Sequence, residues 1–311
     1  MNKRSPFFYV GDKYKLMPQL SKYFPDAINN LIEPFCGGGS VFLNTDATSY
    51  LANDKNYYMI KLHELLKFYA HNRNSFFEEF ENLIKKYNLS ASFLGINVPT
   101  ELKKKYVKTY YAKYNKEGFL KAKSDFNIDK TNIILLYLLL IYGFNHMLRF
   151  NSSGDFNLPV GNVDYNKNVF NALNGYFDFV ENENINFSNQ DFTEFLESIK
   201  YENGDFVYLD PPYLISACEY NKGWTEQNEL VLLQLLDKLN ERGVKFALSN
   251  VFTHKGRSND LLIEWSKKYH VYSVKSNYIS YHDNTIKDTK EVLITNYLVE
   301  DGANGKKEKW I

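Results

Sequence analysis

Asp210-Pro211-Pro212-Tyr213, directly behind the apolar run Phe206–Leu209, offers the clearest chemistry in the sequence. Two consecutive prolines remove two backbone donors and fix φ, leaving a rigid turn that presents carbonyl oxygens. The Asp210 carboxylate and the Pro211 carbonyl could each accept one hydrogen of a ring-bound amine such as N6 of adenine. Held this way, the nitrogen is drawn toward sp³ geometry and its lone pair is aimed at an electrophile. Tyr213 would supply a face on which a planar base stacks. Catalysis of this kind rests on positioning and electrostatics, without a covalent intermediate. Asp-Pro alone is ordinary strand-end punctuation; the full tetrapeptide behind a buried strand is uncommon in that role.

Two further turns belong with it. Gly37-Gly38-Gly39 permits a tight bend and close approach of a ligand to the backbone, yet fits neither the dinucleotide G-x-G-x-x-G spacing nor a P-loop. Asp54, ending the next strand, is placed to accept hydrogen bonds from ribose hydroxyls, although a helix-capping role is as common for such an acid. Together they suggest a nucleoside-containing cofactor that makes no demand for phosphate binding.

The elements that must position these turns read as strands ending in loops. NLIEPFCGGGSVFLN (30–44) is an apolar run, the glycines, then apolar residues at helix-compatible spacing; SYLANDKN (49–56) and DFVYLDPPY (205–213) are further strands. ELVLLQLLDKLNERG (229–243) reads as an amphipathic helix with a glycine stop, followed by the buried strand VKFALSN (244–250). HVYSVKSNYIS (270–280) and KEVLITNYL (290–298) read as an antiparallel hairpin at one edge. This alternation predicts an α/β fold with a doubly wound, mostly parallel sheet. Ligands bind beyond the carboxyl ends of strands in such sheets, where the three turns converge. Between Asn56 and Tyr165 successive helices are expected: KLHELLKFYA, SFFEEFENLIKKY, ELKKKYVKTYYAKYNKEGFLKAK and NIILLYLLLIYGF. The predicted division is therefore a discontinuous domain of residues 1–56 and 166–300, a helical insertion of residues 57–165, and a disordered tail of residues 301–311.

Composition narrows the class. In 311 residues, Lys+Arg and Asp+Glu each count 37, which disfavours a protein that coats nucleic acid through overall charge. Lysines 103, 104, 105, 108, 113, 116, 121 and 123 nonetheless crowd the helical insertion. A solvated helix face explains such a run most simply, and a local positive surface is what DNA contact requires. Two cysteines, Cys36 and Cys218, are too few for a disulfide framework or zinc site, and six scattered histidines form no metal set. The apolar stretch 133–144 is too short to span a bilayer and reads as a buried helix. The 25 Tyr and 24 Phe are most simply a well-filled core, with stacking on bases as the sharper alternative.

The motifs together resemble the amino-methyltransferases of DNA, most closely the Dam-type adenine methyltransferases, over about residues 6–298. Glu33-Pro34-Phe35-Cys36-Gly37-Gly38-Gly39-Ser40 is similar to the family's S-adenosylmethionine loop, which places Phe35, Gly37 and Gly39 at the cofactor. Phe8–Lys13 resembles the N-terminal cofactor motif, a Trp-x-Gly-Gly-Lys pattern in which Tyr9 here replaces Trp and Asp12 the second Gly; Tyr9 and Lys13 carry its contacts. Asn53-Asp54 matches the ribose-binding acid, Asp191-Phe192 the acid-aromatic pair beside the cofactor adenine, and Asp210–Tyr213 the catalytic motif. The resemblance implies a class I methyltransferase fold of the alpha group, with a target-recognition insertion. Asn145–Asn151 and Gly154–Gly161 resemble the recognition hairpin of GATC-specific members. By that likeness Arg149 reads a guanine, Met147 and Pro159 touch thymine methyls, and Asn151 completes the DNA-binding set. His146 stands where the family often has Gly.

The implied partner is double-stranded DNA, with a separate cognate restriction endonuclease and no membrane. The expected protein is a monomer in the cytoplasm, associated with the nucleoid through DNA. The first rival is N4-cytosine methylation, whose enzymes more often carry Ser than Asp before Pro-Pro-Tyr. C5-cytosine chemistry would need a thiolate, usually after proline; Cys36 follows Phe and Cys218 follows Ala. From a different class, a non-catalytic DNA-binding module retaining the cofactor fold would not need Asp210 and Tyr213. The segment 216–228, with Tyr220 and Trp224, is expected to close over a flipped base.

Overall fold

A computed structural model describes residues 2–216, 223–275 and 289–299. Cys218, Tyr220, the end of the 270–280 reading and the C-terminal tail lie outside these residues. The chain forms two compact units: Lys15–Cys36, Thr45–Lys55 and Ser188–Ile311 make a sheet unit, while Met1–Tyr14, Gly37–Asn44 and Asn56–Phe187 make a helical unit.

The strands are β1 (Asn30–Glu33), β2 (Ser49–Asn53), β3 (Ile185–Ser188), β4 (Phe206–Leu209), β5 (Lys245–His254), β6 (Arg257–Ser258), β7 (His270–Val274) and β8 (Lys290–Thr295). Their order is β3-β2-β1-β4-β5-β8-β7, with β6 paired onto β5. β1 runs parallel to β2 and β4, and β4 parallel to β5, whereas β8 is antiparallel to both β5 and β7. The sheet is thus mostly parallel, as expected, with the antiparallel pair at one edge. The strand order reverses between β1 and β4, the kind of switch point beyond whose carboxyl ends open α/β sheets bind ligands.

The helices are α1 (Met17–Leu20), α2 (Tyr57–Tyr69), α3 (Arg73–Lys86), α4 (Thr100–Lys105), α5 (Tyr110–Ile128), α6 (Ile133–Tyr142), α7 (Lys167–Asn182), α8 (Phe192–Ser198), α9 (Glu226–Glu241) and α10 (Asp260–Ser266). In the sheet unit, α8, α9 and α10 cover one face, where Ile32, Val207, Leu209, Phe246, Leu248 and Ile294 meet Leu196, Leu232, Leu236 and Leu262. The unit's own cover for the other face is the chain ahead of β1, with Phe24 against Phe206 and Tyr208. All four β4 residues are buried, which is why this strand reads as continuously apolar rather than alternating. Helix α9 begins at Thr225, whose hydroxyl accepts from the Asn228 N–H while the Asn228 side chain accepts from the Thr225 N–H, and it stops ahead of Gly243 at φ +72°.

In the helical unit, every residue of α6 from Leu135 to Tyr142 is buried. Phe76, Phe80, Phe119, Phe126, Tyr137 and Tyr176 are also fully buried, so much of the aromatic content is core. Among the described residues no helix is long and apolar enough to cross a membrane.

Two local expectations fail. The residues after the glycine turn form only a 3₁₀ turn, Phe42–Asn44, because the Asn44 side chain donates back to the Ser40 carbonyl (2.7 Å) and ends the segment. The helix expected over 101–123 is split between α4 and α5 by a turn in which Thr109 N–H bonds Tyr106 O at 2.8 Å. Three lysines end α4, where cations favour a helix terminus, and β-branched Val107 and Thr109 then propagate helix poorly.

Candidate active site

Within the sheet unit, Asp210 stands one residue beyond the tip of β4. The Tyr213 hydroxyl lies 3.1 Å from Asp210 Oδ1 and 3.3 Å from Oε1 of Glu291, a buried residue near the start of β8. The rigid Pro-Pro turn folds Tyr213 back toward the acid that precedes it. Tyr208, on the buried strand, donates to or accepts from Ser249 at 2.8 Å. Burial pushes its hydroxyl well above the ordinary range, helped by the charges of Asp210, Glu33 and Glu291. Carboxylates from β1, β4 and β8 therefore reach one strand end.

The ends of β1 and β2 are joined by Asn53, which is fully buried. Its Nδ2 donates to the Pro34 and Gln190 carbonyls (3.0 and 3.1 Å), and its Oδ1 accepts from Gln190 N–H and Ser188 Oγ (2.9 and 3.0 Å). One side chain, directly before Asp54, thereby ties the loop that carries Phe35 to the approach to Asp191. The Asp54 N–H donates to Ser188 O at 3.3 Å, and its carbonyl accepts from Asn189 at 2.8 Å. Cys36 is buried; burial, then the charges of Asp54 and Glu33, push its thiol well above the usual range, which disfavours the thiolate.

Asp191 caps α8, accepting from Thr193 N–H and Oγ1 (3.1 and 2.9 Å), and pairs with Lys55 at 2.9 Å. Burial alone would raise its pKa, but the Lys55 and Thr193 donors outweigh that and hold it below the usual carboxylate value. Phe192, Phe35 and Trp224 form one aromatic cluster, with centroids 5.3 Å (Phe35–Phe192), 5.4 Å (Phe192–Trp224) and 5.7 Å (Phe35–Trp224) apart. The Trp224 indole donates to buried Glu229 at 2.7 Å, and Asn250 and Asn259 donate to the same carboxylate. Trp224 is thus anchored beside the two phenylalanines.

Within the helical unit, Gly37 and Gly39 have φ of +47° and +77°. A Cβ on Gly39 would lie 2.3 Å from the Phe42 ring, so only glycine fits. The Gly37 carbonyl meets His63 Nε2 at 2.7 Å, and the Gly38 carbonyl accepts from Ser5 Oγ at 2.5 Å. Tyr9 flanks the turn: a Cβ on Gly38 would come within 3.1 Å of Tyr9 Cβ. Lys13 is buried with its ammonium 3.5 Å from Gly11 O. Asp12, the departure from the family pattern, forms an ion pair with Arg4 at 2.8 Å and accepts from Tyr14 N–H.

The same unit holds the 143–161 hairpin. Phe144 N–H donates to Pro159 O, Asn157 N–H to Arg149 O and Asn151 N–H to Asp155 O. Arg149 is braced across it, with Nε to Asn157 Oδ1 and Nη2 to Asn157 O, both 2.9 Å. The Asn151 oxygen accepts from Ser153 and Asp155 N–H, so it builds the turn. Met147 is half-buried and Pro159 exposed. Asn145 and His146 are both at positive φ, and His146 Nδ1 lies 3.2 Å from Leu140 O.

The sequence reading missed His63, Glu229 and Glu291, and it named Asn53 without its role in holding the loops. Asn53 had one signal, a polar residue ending an apolar strand; the other three are polar residues on helices and strands whose partners are remote in sequence. Among the described residues no group of His, Cys, Asp and Glu could hold a metal ion.

Comparison with known proteins identifies the family. The chain is 35% identical over 303 residues to the type II methyltransferase M.FokI of Planomicrobium okeanokoites, and 33% over 306 residues to the modification methylase StsI of Streptococcus sanguinis. Each match covers 94% of this chain but 43% of the relative, so the chain spans less than half the length of these two proteins. The DNA adenine methylase of Escherichia coli K12 is 28% identical over 302 residues, covering 94% of this chain and 95% of its own. A family model of the D12 class N6 adenine-specific DNA methyltransferases matches residues 9–279, and this chain belongs to that family.

Proposed function

We propose that the protein transfers the methyl group of S-adenosylmethionine to N6 of an adenine flipped out of double-stranded DNA. The observation that carries this reading is the Asp210–Tyr213 turn at the tip of buried β4, with the Tyr213 hydroxyl 3.1 Å from the Asp210 carboxylate. Asp210 and the Pro211 carbonyl accept the two amine hydrogens and aim the nitrogen lone pair. Tyr213, its hydroxyl held between Asp210 and Glu291, fixes the plane on which the base stacks.

The residues fit the cofactor chemically. Phe35, Phe192 and Trp224 suit an adenine ring, and the Asp54 carboxylate suits ribose hydroxyls. Gly37 and Gly39, with Tyr9 and Lys13, form the turn motif that the family resemblance assigns to it. Glu33, Asp54, Asp210 and Glu291 supply negative charge, which favours a sulfonium cation. When bound, S-adenosylmethionine supplies the electrophilic methyl. The residues of this chain orient the amine and fix its hydrogens, and Asp210 is the first acceptor for the proton that the methylated nitrogen sheds.

For the target we propose GATC, with Arg149 held by Asn157 so that its remaining donors face a guanine, and Met147 and Pro159 against thymine methyls. A second reading, a different adenine-containing site, is favoured by the higher identity to the type II enzymes than to the DNA adenine methylase. We place the protein in a restriction-modification system, acting as a monomer on host DNA beside a separate endonuclease. Single-molecule sequencing of DNA from expressing cells reads base and site together. N6-methyladenine at one sequence is expected; unmodified DNA, or N4-methylcytosine, would overturn the reading. Asp210→Ala should reduce methyl transfer by at least about 100-fold while S-adenosylmethionine still binds.

A further inference from the structure

His63 has no part in the chemistry above, yet it touches the glycine turn directly. It lies on α2, fully buried, with Nε2 2.7 Å from the Gly37 carbonyl and Nδ1 2.6 Å from the Tyr176 hydroxyl on α7. A carbonyl oxygen only accepts, so the hydrogen must sit on Nε2; Nδ1 is then bare and accepts from Tyr176. The ring is wedged in place, stacked on Phe187 at 4.8 Å and met edge-on by Phe7 at 4.7 Å. Burial lowers its pKa to about 4, consistent with a neutral ring at ordinary pH.

A glycine turn has little intrinsic rigidity, since glycine populates both signs of φ. Here two successive carbonyls are tied, Gly37 by His63 and Gly38 by Ser5. In a planar trans peptide the N–H points opposite to the carbonyl. Fixing the Gly37 and Gly38 carbonyls therefore also fixes the direction of the Gly38 and Gly39 N–H groups.

We propose that His63, set as the Nε2–H tautomer by the Gly37 carbonyl and held in place by Tyr176, is a positioning residue that presets the glycine turn for S-adenosylmethionine. The inference rests on the cofactor reading above. Its effect falls on cofactor affinity, because the turn is arranged before the ligand arrives and no ordering cost remains to be met on binding.

The test is calorimetric titration of the full chain with S-adenosylmethionine and S-adenosylhomocysteine, alongside steady-state kinetics on DNA. Tyr176→Phe removes one hydroxyl and keeps the ring, so folding is preserved; His63→Gln keeps a donor for Gly37, and His63→Leu removes it. Tyr176→Phe should weaken cofactor binding about 5- to 10-fold and His63→Leu more, with His63→Gln between wild type and His63→Leu. The loss should appear in KM for the cofactor rather than in kcat. ¹⁵N spectra of the His63 ring at pH 7 should show a protonated Nε2 and a bare Nδ1, in wild type and in Tyr176→Phe alike, because the Gly37 carbonyl sets the tautomer. Wild-type affinity in all three variants, or a protonated Nδ1, overturns the role given to His63 and leaves the cofactor reading standing. A wild-type chain that binds neither ligand overturns both.

Discussion

Asn53→Asp exchanges one nitrogen for oxygen with almost no change in shape, and so isolates what the Asn53 hub contributes. The wild-type amide nitrogen donates to two carbonyls at 3.0 and 3.1 Å. In the variant an oxygen faces those carbonyls, so two hydrogen bonds are lost, at about 1 kcal/mol each. The carbonyls of Pro34 and Gln190 are left opposite a buried negative charge, which adds at least a further ~1–2 kcal/mol. The oxygen side keeps its donors, Ser188 and Gln190 N–H. A destabilisation of about 3–4 kcal/mol at pH 7.5 is expected. Burial raises the pKa of the new carboxyl, and its protonated form regains one donor, so the deficit should shrink toward pH 5. Urea unfolding followed by tryptophan fluorescence reads the correct region, since Trp224 and Trp265 both belong to the sheet unit. A deficit under about 1 kcal/mol, or one that grows on acidification, would show that Asn53 does not hold these loops.

Other outcomes follow from the same geometry. His63 has a folded pKa of about 4 against 6.5 unfolded, so the unfolded chain takes up its proton first as pH falls; about 3 kcal/mol of stability should be lost between pH 6.5 and 4. The difference between wild type and His63→Gln across that window, in pH-dependent denaturation, isolates this contribution from the carboxylates. Gly39→Ala places a Cβ 2.3 Å from Phe42 at φ +77°, and should cost about 2–4 kcal/mol in denaturant unfolding along with most cofactor affinity. Arg149→Ala should lose about 1–3 kcal/mol of discrimination at one base pair, measured as relative methylation rates on oligonucleotides that vary one position at a time.

The parallel strands were legible because each is an apolar run ending in a turn, and β4 needs no alternation when both its faces are covered. Asp54 and Asp210 stood out in the sequence because each follows an apolar strand directly, whereas Asp191 was named from the family resemblance. Less legible were groups whose roles depend on partners remote in sequence. His63 acts through Gly37 and Tyr176, and Glu229 through Trp224, Asn250 and Asn259. β3 also went unread, because Ile185–Ser188 buries only Ile185 and shows too little pattern. The segment 216–228, with Tyr220 and Trp224, was expected to close over a flipped base; of these two residues only Trp224 is described, and its indole N–H donates to Glu229 while its ring packs on Phe35 and Phe192.

The pairing of β1 with β4 joins Leu31 to Phe206 and Ile32 to Val207, across most of the chain. During synthesis the glycine turn therefore leaves the ribosome long before Asp210 does. Until β4 arrives, one edge of β1 has no neighbour, and an apolar strand edge of that kind invites wrong pairings that chaperones must suppress. β4 in turn lies between β1 and the later β5, whose other neighbour, β8, is made last of the described strands. The central sheet thus closes late, through contacts of high sequence separation, which makes folding slow for a domain of this size. Prematurely terminated chains that stop short of β4 carry the glycine turn without Asp210, so under the function proposed above the order of biosynthesis itself keeps incomplete products inactive.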